Sequence, residues 1–163
     1  MKMQAPWAAT LRTPFAMLGV RTDGRAVTEL AYLLDGERRV EPRERVAERA
    51  VRELETYLAD PEFRFSVPLA PRGTPFQRRV WDAILAIPCG ESRTYQEVAR
   101  TVGSMARPVG QACGSNPIAL IIPCHRVVGS RGAIGGFMHT AGGEPIDIKR
   151  WLLVHEGYRF GLF

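Results

Sequence analysis

The sequence predicts an α/β protein, with a small α/β N-terminal lobe holding a β-hairpin and a helix. A mostly helical C-terminal lobe containing a helix-turn-helix follows. Three observations predict this. Asp23-Gly24 separates two apolar runs of strand type. Apolar residues recur at helical spacing after residue 42 and again after residue 75. Pro61, Pro68 and Pro71 interrupt regular structure between those helices, which divides the chain into lobes at 1–71 and 72–163.

In chain order, FAMLGVRT and RAVTELAYLL read as the two strands of the hairpin, because Asp-Gly supplies the positive φ angles of a tight turn. From Pro42 to Ala59, the residues Val46, Val51, Leu54, Tyr57 and Leu58 line one helical face. The second lobe opens with Thr74 as a helix N-cap and Pro75 at the first helical position. Phe76, Val80, Trp81, Ile84 and Leu85 form the stripe of that helix, which ends by Pro88 and Gly90. TYQEVARTVG reads as a short helix closed by Gly103, and ARPVGQACG as another with Pro108 near its start. Two short helices joined by a tight turn read as a helix-turn-helix. IALII reads as a strand buried on both faces that delivers the chain to Pro123-Cys124-His125-Arg126, and residues 146–156 read as a final helix.

The chain has 163 residues, 45% of them hydrophobic and 24% charged, which excludes a disordered chain. No apolar run approaches the roughly 20 residues that span a bilayer, so no membrane partner is expected. The first residues lack the apolar core and cleavage site of a secretory signal, so a cytoplasmic location is expected. Cys89, Cys113 and Cys124 form neither an even set nor a C-x-x-C, which argues against a disulfide framework and a structural zinc site; no metal is expected. The net charge is +5. Residues 1–71 carry 11 basic and 11 acidic side chains, whereas residues 72–163 carry 11 basic and 6 acidic. The excess therefore lies in the second half, which fits either a polyanion partner or a solvated basic surface.

Cys124 is the candidate nucleophile. A cysteine attacks as its thiolate, so it needs a positive or proton-accepting neighbour near neutral pH. His125 and Arg126 follow it directly, and histidine is the natural proton acceptor in that range. In a continuing strand Cys124 and His125 would face opposite ways, so the dyad requires the chain to leave the strand there.

The stretch NPIALIIPCHRVVG, from Asn116 to Gly129, closely resembles the O6-alkylguanine-DNA alkyltransferases. The resemblance continues upstream through GTPFQRRVWDAILAIPCGESRTYQEVA and ARPVGQACGSNP and downstream through KRWLLVHEG, covering nearly all of residues 73–158. The first half fits the family's variable N-terminal lobe only loosely.

This resemblance implies direct-reversal DNA repair: irreversible transfer of an alkyl group from O6-alkylguanine to Cys124, once per molecule and without a cofactor. Cys124 would be the acceptor, His125 would take its proton through a water, Glu156 would orient His125, and Asn116 would hold the turn before the acceptor. Tyr95 would donate to the guanine ring. Arg107 would fill the gap left by the extruded base, and Gln96 and Ser130 would contact phosphates. The implied partner is double-stranded DNA containing O6-alkylguanine, bound through its minor groove by a monomer. The alternative is an alkyltransferase-like lesion sensor that binds without transfer, although relatives of that kind lack the acceptor thiol. Three departures stand out. Cys89 replaces a common aromatic, Pro108 follows Arg107, and the loop between Phe137 and Lys149, with His139, is longer than usual.

Overall fold

The computed structural model describes residues 6–33, 38–137 and 144–159. Residues 138–143, with His139 and most of the long loop, lie outside the described residues. The chain divides into two compact units, Met1–Arg72 with Pro117–Ala119, and Gly73–Asn116 with Leu120–Phe163.

The first unit is a three-stranded antiparallel sheet with one helix. Strands β1 (Ala9–Arg12), β2 (Met17–Thr22) and β3 (Val27–Leu33) pair in the order β1-β2-β3. The expected hairpin is β2–β3, and its turn is held by Asp23 Oδ1 accepting from the backbone N–H groups of Arg25 and Ala26. Strand β1 was not anticipated, because four residues give too little alternation to register as a strand. Helix α1 (Arg45–Ala59) follows, starting three residues after the expected Pro42 with Glu44 as its cap. Its buried Glu53 accepts from Ser66 N at 2.7 Å and Val67 N at 3.0 Å, which pins the proline-rich segment to the helix.

The second unit is mostly helical. Helix α2 (Pro75–Leu85) has a full capping box: Thr74 Oγ1 accepts from Gln77 N at 3.1 Å and Gln77 Oε1 accepts from Thr74 N at 2.9 Å. Its Trp81 is 1% exposed and donates its indole N–H to Ala112 O at 2.9 Å. Burial of a side chain this large is worth roughly 4–6 kcal/mol of transfer free energy, and the single polar atom is satisfied. Helix α3 (Tyr95–Val102) is capped by Thr94 and closed by Gly103 at φ 69°, a left-handed conformation that suits glycine. Helix α4 (Ala106–Gly114) matches the expected ARPVGQACG. Helix α5 (Glu144–His155) starts two residues before the expected position.

Two short strands missed in the sequence position the site. Strands β4 (Arg93–Thr94) and β5 (Val127–Val128) pair in parallel, with Arg93 opposite Val127 and Thr94 opposite Val128. This fixes the residue after β4, Tyr95, against the chain that has just left Cys124.

The expected IALII strand is not formed. Ile118 makes a single bridge to Leu30, residues 119–121 form a turn with Leu120 at φ 68°, and Cys124–Arg126 is a 3-10 turn. The apolar run is buried as expected, since Ile118, Leu120, Ile121 and Ile122 are each 5% exposed or less. It coils because Pro117 and Pro123 lack N–H donors for a ladder, and because the Asn116 amide holds Ile122 O at 2.8 Å.

Candidate active site

The site is built around the 3-10 turn Cys124–Arg126. Leaving extended structure there removes the strand geometry that would separate Cys124 and His125. Cys124 is 5% exposed. Its sulfur accepts from Asn116 Nδ2 at 3.2 Å, and the same amide bonds Ile122 O, so Asn116 fixes both the turn and the sulfur.

Behind the turn lies a buried charged network. His125 Nε2 meets Glu156 Oε2 at 2.9 Å. Arg126 donates from Nε to Glu156 Oε1 at 2.8 Å and from an Nη to Oε2 at 3.0 Å. Another Arg126 Nη donates to Ile87 O at 2.6 Å. Burial opposes ionisation of Glu156, but His125 and Arg126 outweigh it and hold the carboxyl far below its usual range. Burial lowers the pKa of His125 despite the opposing pull of Glu156. A neutral His125 donating from Nε2 to Glu156 leaves Nδ1 as an acceptor. Nδ1 has no hydrogen-bond partner among the described residues.

Cys124 rests as a thiol. Contact with the Cys113 thiol and burial both push its pKa up, whereas Asn116 and Lys149 favour the thiolate. Ionisation must therefore accompany proton removal.

Tyr95 forms one wall. Its hydroxyl donates to Gly136 O at 3.1 Å, and burial raises its pKa well above the ordinary phenol value. Gly135, at φ 76°, packs so closely that a Cβ would lie 2.9 Å from the Tyr95 ring, so only glycine lets this segment close on Tyr95.

Lys149 supports that wall and is fully buried. Its ammonium donates to Val127 O at 2.7 Å and Gly136 O at 2.8 Å, and lies 5.7 Å from the Tyr95 ring centroid. Burial lowers its pKa to about 8.

The structure thus brings together Cys124, His125, Asn116, Glu156 and Tyr95. It leaves three other expected residues exposed: Gln96 in α3, Arg107 near the start of α4, and Ser130 at the start of the 3-10 turn Ser130–Gly132. Three contributors were missed. Arg126 stood beside the nucleophile but was given only a general positive charge. Lys149 shares the buried α5 face of Leu152 and Leu153, and a lysine on an apolar face was the available signal. Cys113 offered none. Among the described residues no group of three or more His, Cys, Asp or Glu is placed to hold a metal.

A family profile described as 6-O-methylguanine DNA methyltransferase, DNA binding domain, matches residues 75–158. The chain belongs to the O6-alkylguanine-DNA alkyltransferase family. Among relatives in this family, the methylated-DNA–protein-cysteine methyltransferase of Methanosarcina acetivorans is 47% identical over 110 residues, spanning 66% of this chain and 67% of the relative. The protein of that name from Methanosarcina mazei is 37% identical over 153 residues, spanning 90% and 94%. The crystal structure of Mycobacterium tuberculosis OGT in complex with DNA superposes with a TM-score of 0.77 at 41% identity, covering 90% of each chain. The Mycobacterium tuberculosis structure shares the α/β architecture over 90% of this chain.

Proposed function

We propose that this protein repairs O6-alkylguanine in DNA by direct reversal, moving the alkyl group irreversibly onto its own Cys124. One observation carries the reading: a buried cysteine held by Asn116 is followed by a buried histidine anchored on a buried carboxylate. His125 Nδ1 takes the thiol proton through a bridging water. The sulfur then attacks the alkyl carbon. The new C–S bond forms as the C–O bond breaks, and its electron pair leaves on O6 of guanine. Tyr95, kept protonated by its raised pKa, turns its hydroxyl from Gly136 O to the ring and donates a hydrogen bond that steadies the charge on the departing base, which then takes its proton from water. No cofactor enters, because the substrate carries the activated alkyl group. The protein is consumed.

The partner is double-stranded DNA. The target guanine is extruded, since its O6 cannot reach a buried sulfur from within the base stack. Helices α3 and α4 act as a helix-turn-helix in the minor groove. Arg107 fills the vacated space, while Gln96 and Ser130 meet phosphates. Exposed side chains at these positions and the excess charge of residues 72–163 support this placement. The protein acts as a monomer in the cytoplasm, and three cysteines outside any disulfide support the cytoplasmic reading. No described helix is long and apolar enough to cross a membrane.

Cys124→Ser tests the reading. The serine hydroxyl is far less acidic than a thiol, so the variant keeps DNA affinity and loses transfer. Near-normal transfer would show that another group accepts the alkyl.

A further inference from the structure

The turn between α3 and α4 carries an apolar side chain that the transfer chemistry leaves without a role. Helix α3 ends at Gly103, whose left-handed conformation lets Ser104 N donate back to Ala99 O at 2.9 Å and turns the chain into α4. A Cβ at Gly103 would meet nothing within 4 Å, so this turn stands in open space. Met105 follows in extended conformation, φ −120° and ψ 160°, at the cap position of α4, and makes no side-chain cap hydrogen bond. Thr74 and Thr94 fill that position on α2 and α3 with capping hydroxyls, so the methionine forgoes a local bond. It is 73% exposed, against 43% for Leu85 in α2 and 59% for Val154 in α5. A second, independent feature is the charge around it. From Val98 to Gly143 the chain holds Arg100, Arg107, Arg126 and Arg131 and no Asp or Glu; Glu97 is the nearest acidic residue in sequence. Arg126 is engaged by Glu156, whereas Arg100, Arg107 and Arg131 are exposed. Arg100 lies in the last turn of α3 and Arg107 is the second residue of α4, so in sequence the exposed methionine stands between two exposed guanidinium groups.

We propose that Met105 is an apolar wedge that enters the base stack of duplex DNA at the step beside the extruded nucleotide. This rests on the reading of duplex DNA as the partner and adds a positioning residue to it. The arginines on either side meet phosphates, and their charge brings the turn to the groove. A thioether gains nothing from a phosphate. It does gain from the apolar faces of stacked bases, and methionine is among the side chains that unstack a base step in this way. Inserting it takes the exposed methylenes, sulfur and methyl out of water, which offsets part of the unstacking cost. Arg107, two residues on, then fills the space vacated by the target base, while Met105 keeps the neighbouring step from closing. Every base presents an apolar face, so the wedge adds grip without adding sequence preference.

The test uses duplex DNA containing O6-methylguanine with 2-aminopurine as the neighbouring base, whose fluorescence rises when it loses its stacking partner. Wild-type protein should raise that fluorescence on binding, and Met105→Ala should raise it much less. Repair of the duplex by Met105→Ala should be slower by about tenfold or more, the scale of losing one buried methionine side chain. Reaction with free O6-benzylguanine and the melting midpoint should match wild type, because the side chain packs in no core. The slope of log affinity against log salt should also be unchanged, because no phosphate contact is lost. Met105→Leu, which keeps an apolar side chain of similar size, should restore both the fluorescence rise and the rate. Met105→Ala that repairs the duplex at the wild-type rate, or brightens 2-aminopurine as fully, overturns the proposal. So does an equal loss on free O6-benzylguanine, or a changed salt slope. Wild-type protein that fails to bind the duplex would refute the DNA reading and the wedge together, whereas wild-type binding with an unchanged alanine variant refutes the wedge alone.

Discussion

Replacing Glu156 by glutamine changes one atom and removes a charge on which three donor groups converge. The Glu156 side chain is 1% exposed and that of Arg126 is 14% exposed, so little solvent screens the pair. The carboxylate accepts from His125 Nε2 and twice from Arg126. Glutamine offers one acceptor oxygen and turns an NH2 toward the remaining donors, leaving the guanidinium buried without its counter-charge. Removing one partner of a buried pair costs about 3–5 kcal/mol. For a chain of this length each kcal/mol moves the melting midpoint by about 2–4 °C, so Glu156→Gln should melt roughly 6–20 °C lower. The pH dependence has a definite sign. Glu156 has a depressed pKa in the fold, so its stabilisation is present above its ordinary value of 4.5 and is lost as pH falls toward the folded value. The gap between wild type and variant should therefore be full at neutral pH and narrow below pH 4.5. Combining Glu156→Gln with Arg126→Leu should cost less than the sum of the single changes, because the two residues share one network. Thermal melts of the four proteins across pH are the assay. An unchanged midpoint for Glu156→Gln at neutral pH, or strict additivity, would refute the reasoning.

Two further outcomes are expected. Arg107→Ala should slow repair of duplex DNA far more than reaction with free O6-benzylguanine, because its proposed role arises only when a base is extruded; equal losses would assign it to folding or chemistry. Protein methylated on Cys124 should be less stable than unreacted protein by about 1–3 kcal/mol, since the sulfur is packed against Asn116 and has little room for a methyl group. Paired melts check this, and an equal or higher midpoint for the methylated form would show that the pocket already accommodates the group.

Much of the second unit was legible because local chemistry dictates it. Thr74, Pro75 and Gly103 mark helix ends by interactions within a few residues of sequence. Strands β1, β4 and β5 were not legible, since two to four residues carry no period and exist only through their partners. IALII shows the same limit from the other side. Its burial was readable from composition, but its coiled path depends on Asn116 and two prolines acting across the turn. Cys124, His125, Asn116 and Glu156 were named through their place in a long motif, and the structure brings them within hydrogen-bonding reach of one network or the sulfur. Lys149 and Cys113 escaped notice because they join the site only when α4 and α5 pack around the Cys124 turn.

The central claim is that Cys124 accepts the alkyl group. Incubating the protein with duplex DNA containing O6-methylguanine, then measuring intact mass and mapping peptides, tests it most directly. The account predicts one added methyl per protein molecule, located on Cys124, with a stoichiometric burst and no further turnover. A methyl on Cys89 or Cys113, or sustained turnover beyond one equivalent, would contradict it.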